Sequence, residues 1–261
     1  MEIVITATPE SAAEMVADTC ERLLKHRPEA VIGLATGSSP LPAYQEMVRR
    51  HRDGRMSFAG ATAFLLDEYV GLPPGHPESY REFIRRELTD QVDLSEDRLH
   101  SPDASGPDPA GAGVRYEQQI SDAGGIDLQI LGIGSDGHIG FNEPSSSLGS
   151  RTRMKTLTAQ TRRDNARFFG GDQDAVPRHV ITQGIGTILD AGHLVMIATG
   201  SSKAGPIAAA FEGPITSMVP ASALQFHPHT TVVIDEDAAV ELRHAGYYRE
   251  AFSNKPDWQH L

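Results

Sequence analysis

Cysteine is almost missing from this 261-residue chain, in which Cys20 carries the only thiol. A single cysteine excludes an internal disulfide and a metal site built from several thiolates, and it is typical of proteins in a reducing cytoplasm. Long apolar runs are missing too, since no stretch approaches the ~20 residues that a membrane-spanning helix needs. The first residues lack the basic and apolar regions of a secretion signal, so we expect a cytoplasmic protein without a membrane partner.

Positive charge is also scarce. The chain has 23 Lys and Arg against 35 Asp and Glu, which gives a formal net charge of −12. So acidic a protein is not expected to bind nucleic acid or anionic membranes. If its ligand is an anion, a few local cations must hold it. The 39% hydrophobic and 22% charged residues are otherwise ordinary for a globular protein of one large α/β domain or two small ones.

The chain is organised around residues 126–147, IDLQILGIGSDGHIGFNEPSSS. This stretch opens with a short apolar run of strand length. Glycines and polar side chains follow at once: Gly132, Gly134, Asp136, Gly137, His138, Asn142 and Glu143. Glycines let the backbone approach a ligand closely, at the edge where open α/β sheets bind ligands. A histidine flanked by two carboxylates can be tuned as a proton carrier near neutral pH, so the stretch predicts an active-site loop.

Two other interpretations of this loop are weaker. The glycines fit the G-x-G-x-x-G fingerprint of dinucleotide-binding proteins, but that fingerprint has to open a helix. Pro144 and a run of serines follow within one turn's length, so no full helix N-terminus is available and a nicotinamide cofactor is not expected. A purely structural histidine is the other alternative. The position of His138 between carboxylates in a glycine-rich loop favours a catalytic role.

Apolar runs of strand length alternate with amphipathic segments along the chain. The predicted strands are 2–7, 30–35, 62–66, 126–131, 193–198 and 231–234. This alternation predicts an α/β fold with an open, largely parallel sheet and helices on both faces. Because it resumes after the Pro/Gly/Ser-rich residues 101–113, we interpret those residues as a surface loop and the whole chain, 1–261, as a single domain.

Two of the predicted strands lead into loops of small residues that precede a helix. They are residues 36–40, TGSSP, and residues 199–203, TGSSK. Free N–H groups and hydroxyls at a helix N-terminus favour phosphate binding. The first loop lacks the lysine of an ATP-binding P-loop, so it is not interpreted as one. A plain connection between strand and helix remains the alternative.

Charged residues mark two further places in the chain. Asp67 and Glu68 directly follow a predicted strand, so they are expected at the same edge of the sheet, with a solvated loop acid as the alternative. Cations cluster after residue 150, and a weakly periodic segment there ends at Pro177. We predict a mobile lid at about residues 158–177, with a solvated basic face as the alternative.

These stretches together resemble the glucosamine-6-phosphate deaminase family. The matching segments occur in order over nearly the whole chain: GLATGSSPLPAYQEMV, LLDEYVGLP with HPESY, GIGSDGHIGFNEPSSSLGSRTRMKTLT, ARFFGG, ITQGIGTILDA, GSSKA and LQFHP. The DEYVGLP and DGHIGFNEP segments are long and specific. The tail from Tyr247 onward diverges, so no roles are carried over to it.

The resemblance implies a modified Rossmann-like fold and the conversion of glucosamine 6-phosphate and water to fructose 6-phosphate and ammonia, without a metal or cofactor. It implies that His138, supported by Asp136 and Glu143, carries protons during ring opening. Asp67 matches the base that moves a proton from carbon 2 to carbon 1. The positions that match phosphate-binding residues are Thr36, Gly37, Ser38, Ser39, Arg167 and Lys203.

The resemblance also implies a second ligand site. Hexameric members of the family bind N-acetylglucosamine 6-phosphate as an activator between subunits, and the matching positions are Ser146, Arg153, Lys155 and Thr156. Two cations one residue apart in an extended segment point the same way and could clamp one phosphate. A solvated basic stretch is the alternative. We therefore expect a sugar phosphate as partner, and a homo-oligomer that is a hexamer if this activation operates.

Two rival functions fit the same general fold. A 6-phosphogluconolactonase shares a GDGH-like loop, but it is expected to lack the FNEP and DEYVGLP segments present here. A catalytically inactive sugar-phosphate-binding regulator is the other rival. It is disfavoured because this sequence contains all four ionisable catalytic candidates, Asp67, Asp136, His138 and Glu143.

Overall fold

The computed structural model describes residues 1–106, 108–256 and 259, so the predicted 101–113 loop and the divergent tail lie partly outside the described residues. The strands are β1 (Glu2–Thr6), β2 (Val31–Leu34), β3 (Thr62–Leu65), β4 (Asp67–Tyr69), β5 (Leu99–His100), β6 (Leu128–Leu131), β7 (Arg153–Thr156), β8 (His179–Thr182), β9 (His193–Ala198) and β10 (Thr230–Asp235). The α-helices are α1 (Pro9–His26), α2 (Leu41–Arg52), α3 (Tyr80–Glu87), α4 (Pro109–Asp122), α5 (Ala159–Asn165), α6 (Ile185–Leu189), α7 (Ala204–Phe211) and α8 (Ala245–Ser253). No described helix is both long and apolar enough to cross a bilayer.

The main sheet has seven parallel strands in the order β1-β10-β9-β6-β2-β3-β5. Alternate residues of its strands enter two separate apolar cores. On one face, Leu131 and Met196 pack with residues of α4 and α7. On the other, Ile130 and Val195 pack with residues of α1 and α2. The prediction of a single-domain, Rossmann-like α/β fold with helices on both faces is confirmed.

A second, smaller sheet was not predicted. Its three antiparallel strands lie in the order β4-β8-β7, and one row of the sheet aligns Asp67, Thr182 and Arg153. The chain leaves the main sheet after Leu65 and enters this sheet at Asp67. β4, DEY, and β7, RMKT, mix charged with apolar residues, so they lack the apolar run that identifies the equally short strands of the main sheet. In this sheet β8 lies between the Asp67 strand and β7, the strand that bears the predicted second-site cations.

Side-chain caps fix where the helices begin. Thr8 accepts a hydrogen bond from the Ser11 amide at 3.2 Å, so α1 starts at Pro9 as predicted. The predicted loop at 101–113 is partly wrong, because Asp108 caps α4 and the helix already begins at Pro109. Proline at the first helical position is compatible with a helix. The glycines that follow it gave this helical segment the composition of a loop.

Candidate active site

Four loops with predicted site residues follow four neighbouring strands of the main sheet. The strands are β9, β6, β2 and β3, in that order across the sheet. Their loops carry Lys203, the loop of residues 132–143 (the His138 loop), the Thr36–Ser39 loop and Asp67, respectively. Parallel strands end at one edge of a sheet, so these groups share the carboxyl edge where α/β folds bind ligands.

Direct contacts join these loops. The Lys203 Nζ atom donates a hydrogen bond to the Ile133 carbonyl at 2.7 Å, which ties the loop after β9 to the His138 loop. A Cβ atom at Gly132 would lie 4.0 Å from Pro40 Cδ, so the loop after β2 packs against the same segment. The predicted phosphate-binding and proton-carrying stretches therefore lie side by side.

His138 and Asp136 form a close pair at this edge. The His138 Nδ1 atom lies 2.5 Å from an Asp136 carboxylate oxygen, and the same oxygen accepts the His138 amide at 3.2 Å. Burial opposes ionisation of Asp136, but the hydrogen bonds from His138 outweigh it and hold the Asp136 pKa below its usual value. An ionised carboxylate at Nδ1 leaves Nε2 to exchange protons with a ligand. The imidazole is 27% exposed, so a ligand can reach it.

No hydrogen bond or ion pair joins Glu143 to His138 among the described residues, so the support expected from Glu143 stays a prediction. Its carboxylate instead accepts hydrogen bonds from two hydroxyls of the lid, Thr158 at 3.3 Å and Thr161 at a shorter distance. Thr158 is also the N-cap of α5. Glu143 therefore joins the end of the His138 loop to the start of the lid.

Asp67 is a buried carboxylate, with its residue only 4% exposed. Within the described part of the chain, it accepts no hydrogen bond. Burial, followed by the neighbouring negative charge of Glu68, raises the Asp67 pKa well above its usual value. A carboxylate that is poorly solvated and near another negative charge is a stronger base than a free one. Asp67 therefore has the properties that proton abstraction from carbon requires.

Glu68 is buried beside Asp67 but has a different environment. Its two oxygens accept three backbone N–H groups, from Tyr69 at 2.8 Å, Tyr80 at 3.0 Å and Arg81 at 2.9 Å. Burial raises the Glu68 pKa, and these N–H groups partly offset that rise. Because two of them belong to the first turn of α3, Glu68 fastens the Asp67 strand to that helix.

The Thr36–Ser39 loop presents backbone N–H groups in front of α2. Gly37 has φ +117°, a conformation that side chains rarely adopt. The start of the loop is fixed by Tyr44, whose hydroxyl donates to the Ala35 carbonyl at 2.6 Å and accepts from the Ala35 amide at 3.1 Å. The first turn of α2 has no side-chain cap, so its N-terminus is open to an anion.

Lys203 and Arg167 come together from distant parts of the chain. Burial and the positive charge of Arg167 lower the Lys203 pKa, with Asp136 opposing them. Among the described residues, no carboxylate forms an ion pair with either cation. Two cations held close together favour an anion between them. Lys203 also bonds Ile133 of the His138 loop, so this pair of cations is consistent with a phosphate site at this edge of the sheet.

The lid rests on an aromatic cluster next to the base. The Tyr69 ring contacts the rings of Phe141 and Phe169, which belong to the His138 loop and the lid. The Asn165 side chain at the end of α5 donates to the Tyr69 hydroxyl at 2.9 Å. Tyr69 is two residues from Asp67, so the lid packs against the elements that carry the base and the proton carrier. Its mobility stays a prediction.

The predicted second site lies on and beside β7. Arg153 and Lys155 are partly buried on one face of this strand, whereas Thr156 is exposed on the other. The Ser146 hydroxyl is buried and has no hydrogen-bond partner among the described residues. Arg153 donates to the Asn142 side-chain oxygen at 2.8 Å, and burial lowers the Arg153 pKa. Among the described residues, no carboxylate lies within ion-pair distance of Arg153.

Sequence reasoning missed two residues that shape this edge. The buried Asp235 carboxylate accepts the Gly200 amide at 3.0 Å through both oxygens and thereby holds the loop that leads to Lys203. An acid directly after an apolar strand, the signal that identified Asp67, could have found it. Thr182 accepts the Phe141 amide at 3.1 Å. Nothing local in the sequence marks it, because its contact depends on the second sheet.

The described chain offers little for a metal ion. No group of three His, Cys, Asp or Glu side chains in it is arranged to hold one. The polar groups at the edge of the sheet are instead suited to proton transfer and to binding an anion through N–H groups and cations.

Comparison with known proteins identifies relatives over the full chain. Residues 6–233 match the family model of glucosamine-6-phosphate isomerases and 6-phosphogluconolactonases. A glucosamine-6-phosphate deaminase of Arthrobacter sp. (strain FB24) is 56% identical over 261 residues, which is 100% of both chains. One of Rhodococcus jostii (strain RHA1) is 58% identical over 259 residues, or 99% of each chain.

Solved structures show the same architecture. A monomeric glucosamine-6-phosphate deaminase superposes with a TM-score of 0.89 at 38% identity, covering 92% of this chain and 100% of its own. A 6-phosphogluconolactonase from Trypanosoma cruzi reaches 0.75 at 19% identity, covering 93% of this chain and 97% of its own. The second similarity concerns the fold alone.

Proposed function

The chain belongs to the family of glucosamine-6-phosphate isomerases and 6-phosphogluconolactonases, and we infer that it is a glucosamine-6-phosphate deaminase. It converts glucosamine 6-phosphate and water to fructose 6-phosphate and ammonia. The observation that carries this inference is that the same edge of the sheet holds two proton-transfer groups, a buried basic Asp67 and a half-buried His138 held by Asp136. Isomerisation needs both, because protons move at oxygen and at carbon.

We propose that ring opening uses His138. Its free ring nitrogen takes the proton of the anomeric hydroxyl and returns a proton to the ring oxygen as the bond from carbon 1 to that oxygen breaks. The ionised Asp136 at the other nitrogen stabilises the imidazolium that forms between these transfers. The open-chain aldehyde is the product of this step.

Asp67 is proposed to carry out the second step. It removes the proton from carbon 2, and the electron pair of that bond forms a carbon 1–carbon 2 double bond while the aldehyde oxygen takes a proton from the substrate's own ammonium group. The same carboxyl then gives its proton to carbon 1, which yields the protonated imine of fructose 6-phosphate. Water adds to carbon 2 and ammonia leaves, so the deamination consumes one water and needs no redox partner.

Phosphate binding is proposed for the Thr36–Ser39 loop together with Arg167 and Lys203. The loop offers N–H groups at a helix N-terminus, and the two cations lie near each other at the same edge. Binding at the remote phosphate positions carbons 1 and 2 for the reaction. A cytoplasmic location, expected from the single cysteine, belongs to the same proposal.

An ammonia-release assay tests this function. The protein should release one ammonia and one fructose 6-phosphate for each glucosamine 6-phosphate consumed, and it should leave 6-phosphogluconolactone hydrolysis at the uncatalysed rate. Lactone hydrolysis without ammonia release would identify a lactonase. Thermal stabilisation by glucosamine 6-phosphate without turnover would identify a non-catalytic regulator.

We further propose that Arg153 and Lys155 bind a second sugar phosphate that activates the enzyme. The specific observation is a partly buried Arg153 that has no carboxylate partner among the described residues and contacts Asn142 of the His138 loop. An anion bound at Arg153 would therefore act on the position of the His138 loop. This is what regulation requires, because a regulatory ligand must bind one conformation of the protein more tightly than another. The buried, unpaired Ser146 hydroxyl adjoins the same loop.

Initial rates with and without N-acetylglucosamine 6-phosphate test this regulation. The activator should change a sigmoidal substrate curve into a hyperbolic one, and the protein should be oligomeric, hexameric under this proposal. Lys155→Ala should abolish the response while keeping the contact between Arg153 and Asn142, and Arg151→Ala serves as the charge-matched control. Hyperbolic kinetics that ignore the activator, in a protein that elutes as a monomer, would contradict the proposal.

A further inference from the structure

Thr182 occupies a central position between the groups proposed to transfer protons. It is the last residue of β8, the middle strand of the second sheet, and it pairs with Asp67 on one side and Arg153 on the other. The residue is 0% exposed. Its backbone therefore fixes one edge of the strand that carries the proposed base.

The Thr182 side chain reaches the His138 loop. Its hydroxyl oxygen accepts the Phe141 amide at 3.1 Å and its proton is donated to the Gln183 carbonyl at 3.3 Å. Phe141 lies three residues from His138. One side chain thus joins the loop of the proposed proton carrier to the strand next to the proposed base.

A second contact fixes the same segment. The Asn142 side-chain amide donates to the Gln183 carbonyl at 2.8 Å and to the Ile139 carbonyl at 2.9 Å. Two consecutive loop residues, Phe141 and Asn142, are therefore bound to two consecutive residues at the end of β8. The approach is so close that a Cβ atom at Gly140 would lie 2.8 Å from the Thr182 hydroxyl oxygen.

We propose that Thr182 is a positioning residue for the deaminase reaction, which holds the His138 loop in register with the strand of Asp67 through its hydroxyl. The proposal rests on the proposed function, in which both of those groups act on one substrate. The phosphate-binding loops follow other strands, β2 and β9. Loss of the hydroxyl should therefore disturb proton transfer while leaving phosphate binding nearly unchanged.

Threonine and valine have nearly the same shape, so Thr182→Val removes the hydroxyl and leaves the Phe141 amide without its acceptor. Thr182→Ser keeps the hydroxyl. Thr152 supplies a matched control, because it is also a buried threonine, and its hydroxyl acts on the Glu117 carboxylate of α4 and bonds no described residue of the His138 loop. Thr152→Val therefore removes an equivalent hydroxyl that does not hold this loop.

The test measures kcat, KM and amide exchange at Phe141 by NMR. Thr182→Val should lower kcat about tenfold with KM within about twofold, which corresponds to ~1.4 kcal/mol of transition-state stabilisation. It should also speed exchange of the Phe141 amide. Thr182→Ser and Thr152→Val should match the wild type in all three measurements.

Two different failures can be told apart. If the wild type releases ammonia but Thr182→Val keeps its kcat, or if Thr152→Val loses as much activity, the positioning role is overturned and the deaminase function stands. If the wild type releases no ammonia, the function fails, whatever the exchange at Phe141. A rise in KM with unchanged kcat in Thr182→Val would also overturn the proposal, because it would place Thr182 in substrate binding.

Discussion

At the scale of single residues, Asp67 and Glu68 show how local partners separate two adjacent carboxylates. Both are buried, but Glu68 accepts three backbone N–H groups and Asp67 accepts none within the described chain. Hydrogen bonds to a carboxylate favour its charged form, so Glu68 is the better site for the negative charge. Burial, followed by that charge, raises the pKa of Asp67. One group anchors a helix while the other is left as a strong base.

The first prediction concerns the pH dependence of kcat/KM. A base must be unprotonated to act, so activity falls as the pH drops through the raised Asp67 pKa. Glu68→Gln removes the adjacent charge, and we expect the acid limb of kcat/KM to move to lower pH. Ser79→Ala is the control, since it weakens the cap of the same helix without changing charge. An acid limb that stays in place in Glu68→Gln would contradict this account.

The sequence allowed some of these residue-level features to be predicted but not others. The pairing of His138 with Asp136 follows from their separation of two residues in a glycine-rich turn. The partners of Glu143 do not, because Thr158 and Thr161 reach it only when the lid folds back. Local contacts can be inferred from local sequence, whereas contacts made by a returning segment depend on the tertiary structure.

At the scale of elements, the second sheet is the feature that sequence reasoning could not supply. Its strands β4, β8 and β7 are three or four residues long and far apart in the chain. β4 and β7 mix charged with apolar residues, so no apolar run marks them in the sequence. The strands of the main sheet, such as β9 with the sequence HLVMIA, could be predicted because each is a nearly continuous apolar run.

The second prediction concerns the lid and the loop after β9. Arg167→Ala and Lys203→Ala should each raise KM about tenfold or more and weaken inhibition by inorganic phosphate, because charge-assisted hydrogen bonds contribute ~1.5–3 kcal/mol. The measurement is initial rate against glucosamine 6-phosphate at fixed ionic strength. Arg163→Ala is the control: this exposed lid arginine donates to Gln160 on its own helix. Unchanged KM in both test variants would remove the lid from the phosphate site.

At the scale of the whole molecule, the functional groups lie at one end of the sheet and an unusual histidine pair lies at the other. The rings of His193 and His229 stack with 3.6 Å between their centroids. Burial and the neighbouring histidines lower the pKa of His193 to about 3. His193 is at the start of β9 and bonds Thr231 of β10 at 2.9 Å, so its charging would disturb the contact between two adjacent strands of the main sheet.

The third prediction follows from that lowered pKa. Below the ordinary histidine pKa of 6.5, His193 binds a proton in the unfolded chain but stays neutral in the folded chain. The free energy of unfolding therefore has its full value above pH 6.5 and decreases as the pH falls toward 3. Each pH unit in this window costs about 1.4 kcal/mol for one such group. Urea unfolding at pH 7 and pH 5 should show a smaller difference for His193→Gln than for the wild type. His26→Gln, at an exposed position on α1, should behave as the wild type; an equal difference in all three proteins would contradict the assignment.

Asp67 is proposed to carry the proton from carbon 2 to carbon 1, and isotope incorporation in deuterated water separates this base from any other group. The wild type should place deuterium at carbon 1 of fructose 6-phosphate to the extent that the Asp67 carboxyl proton exchanges with solvent before it is returned to the sugar. Asp67→Asn should bind glucosamine 6-phosphate within a few fold of the wild type, yet lose about 10² to 10⁴ in turnover, as expected for a missing general base. It should also unfold at a higher temperature, because the raised pKa means that a charged Asp67 destabilises the fold near neutral pH. An asparagine variant that still exchanges the carbon 1 hydrogen at the wild-type rate would show that another group is the base.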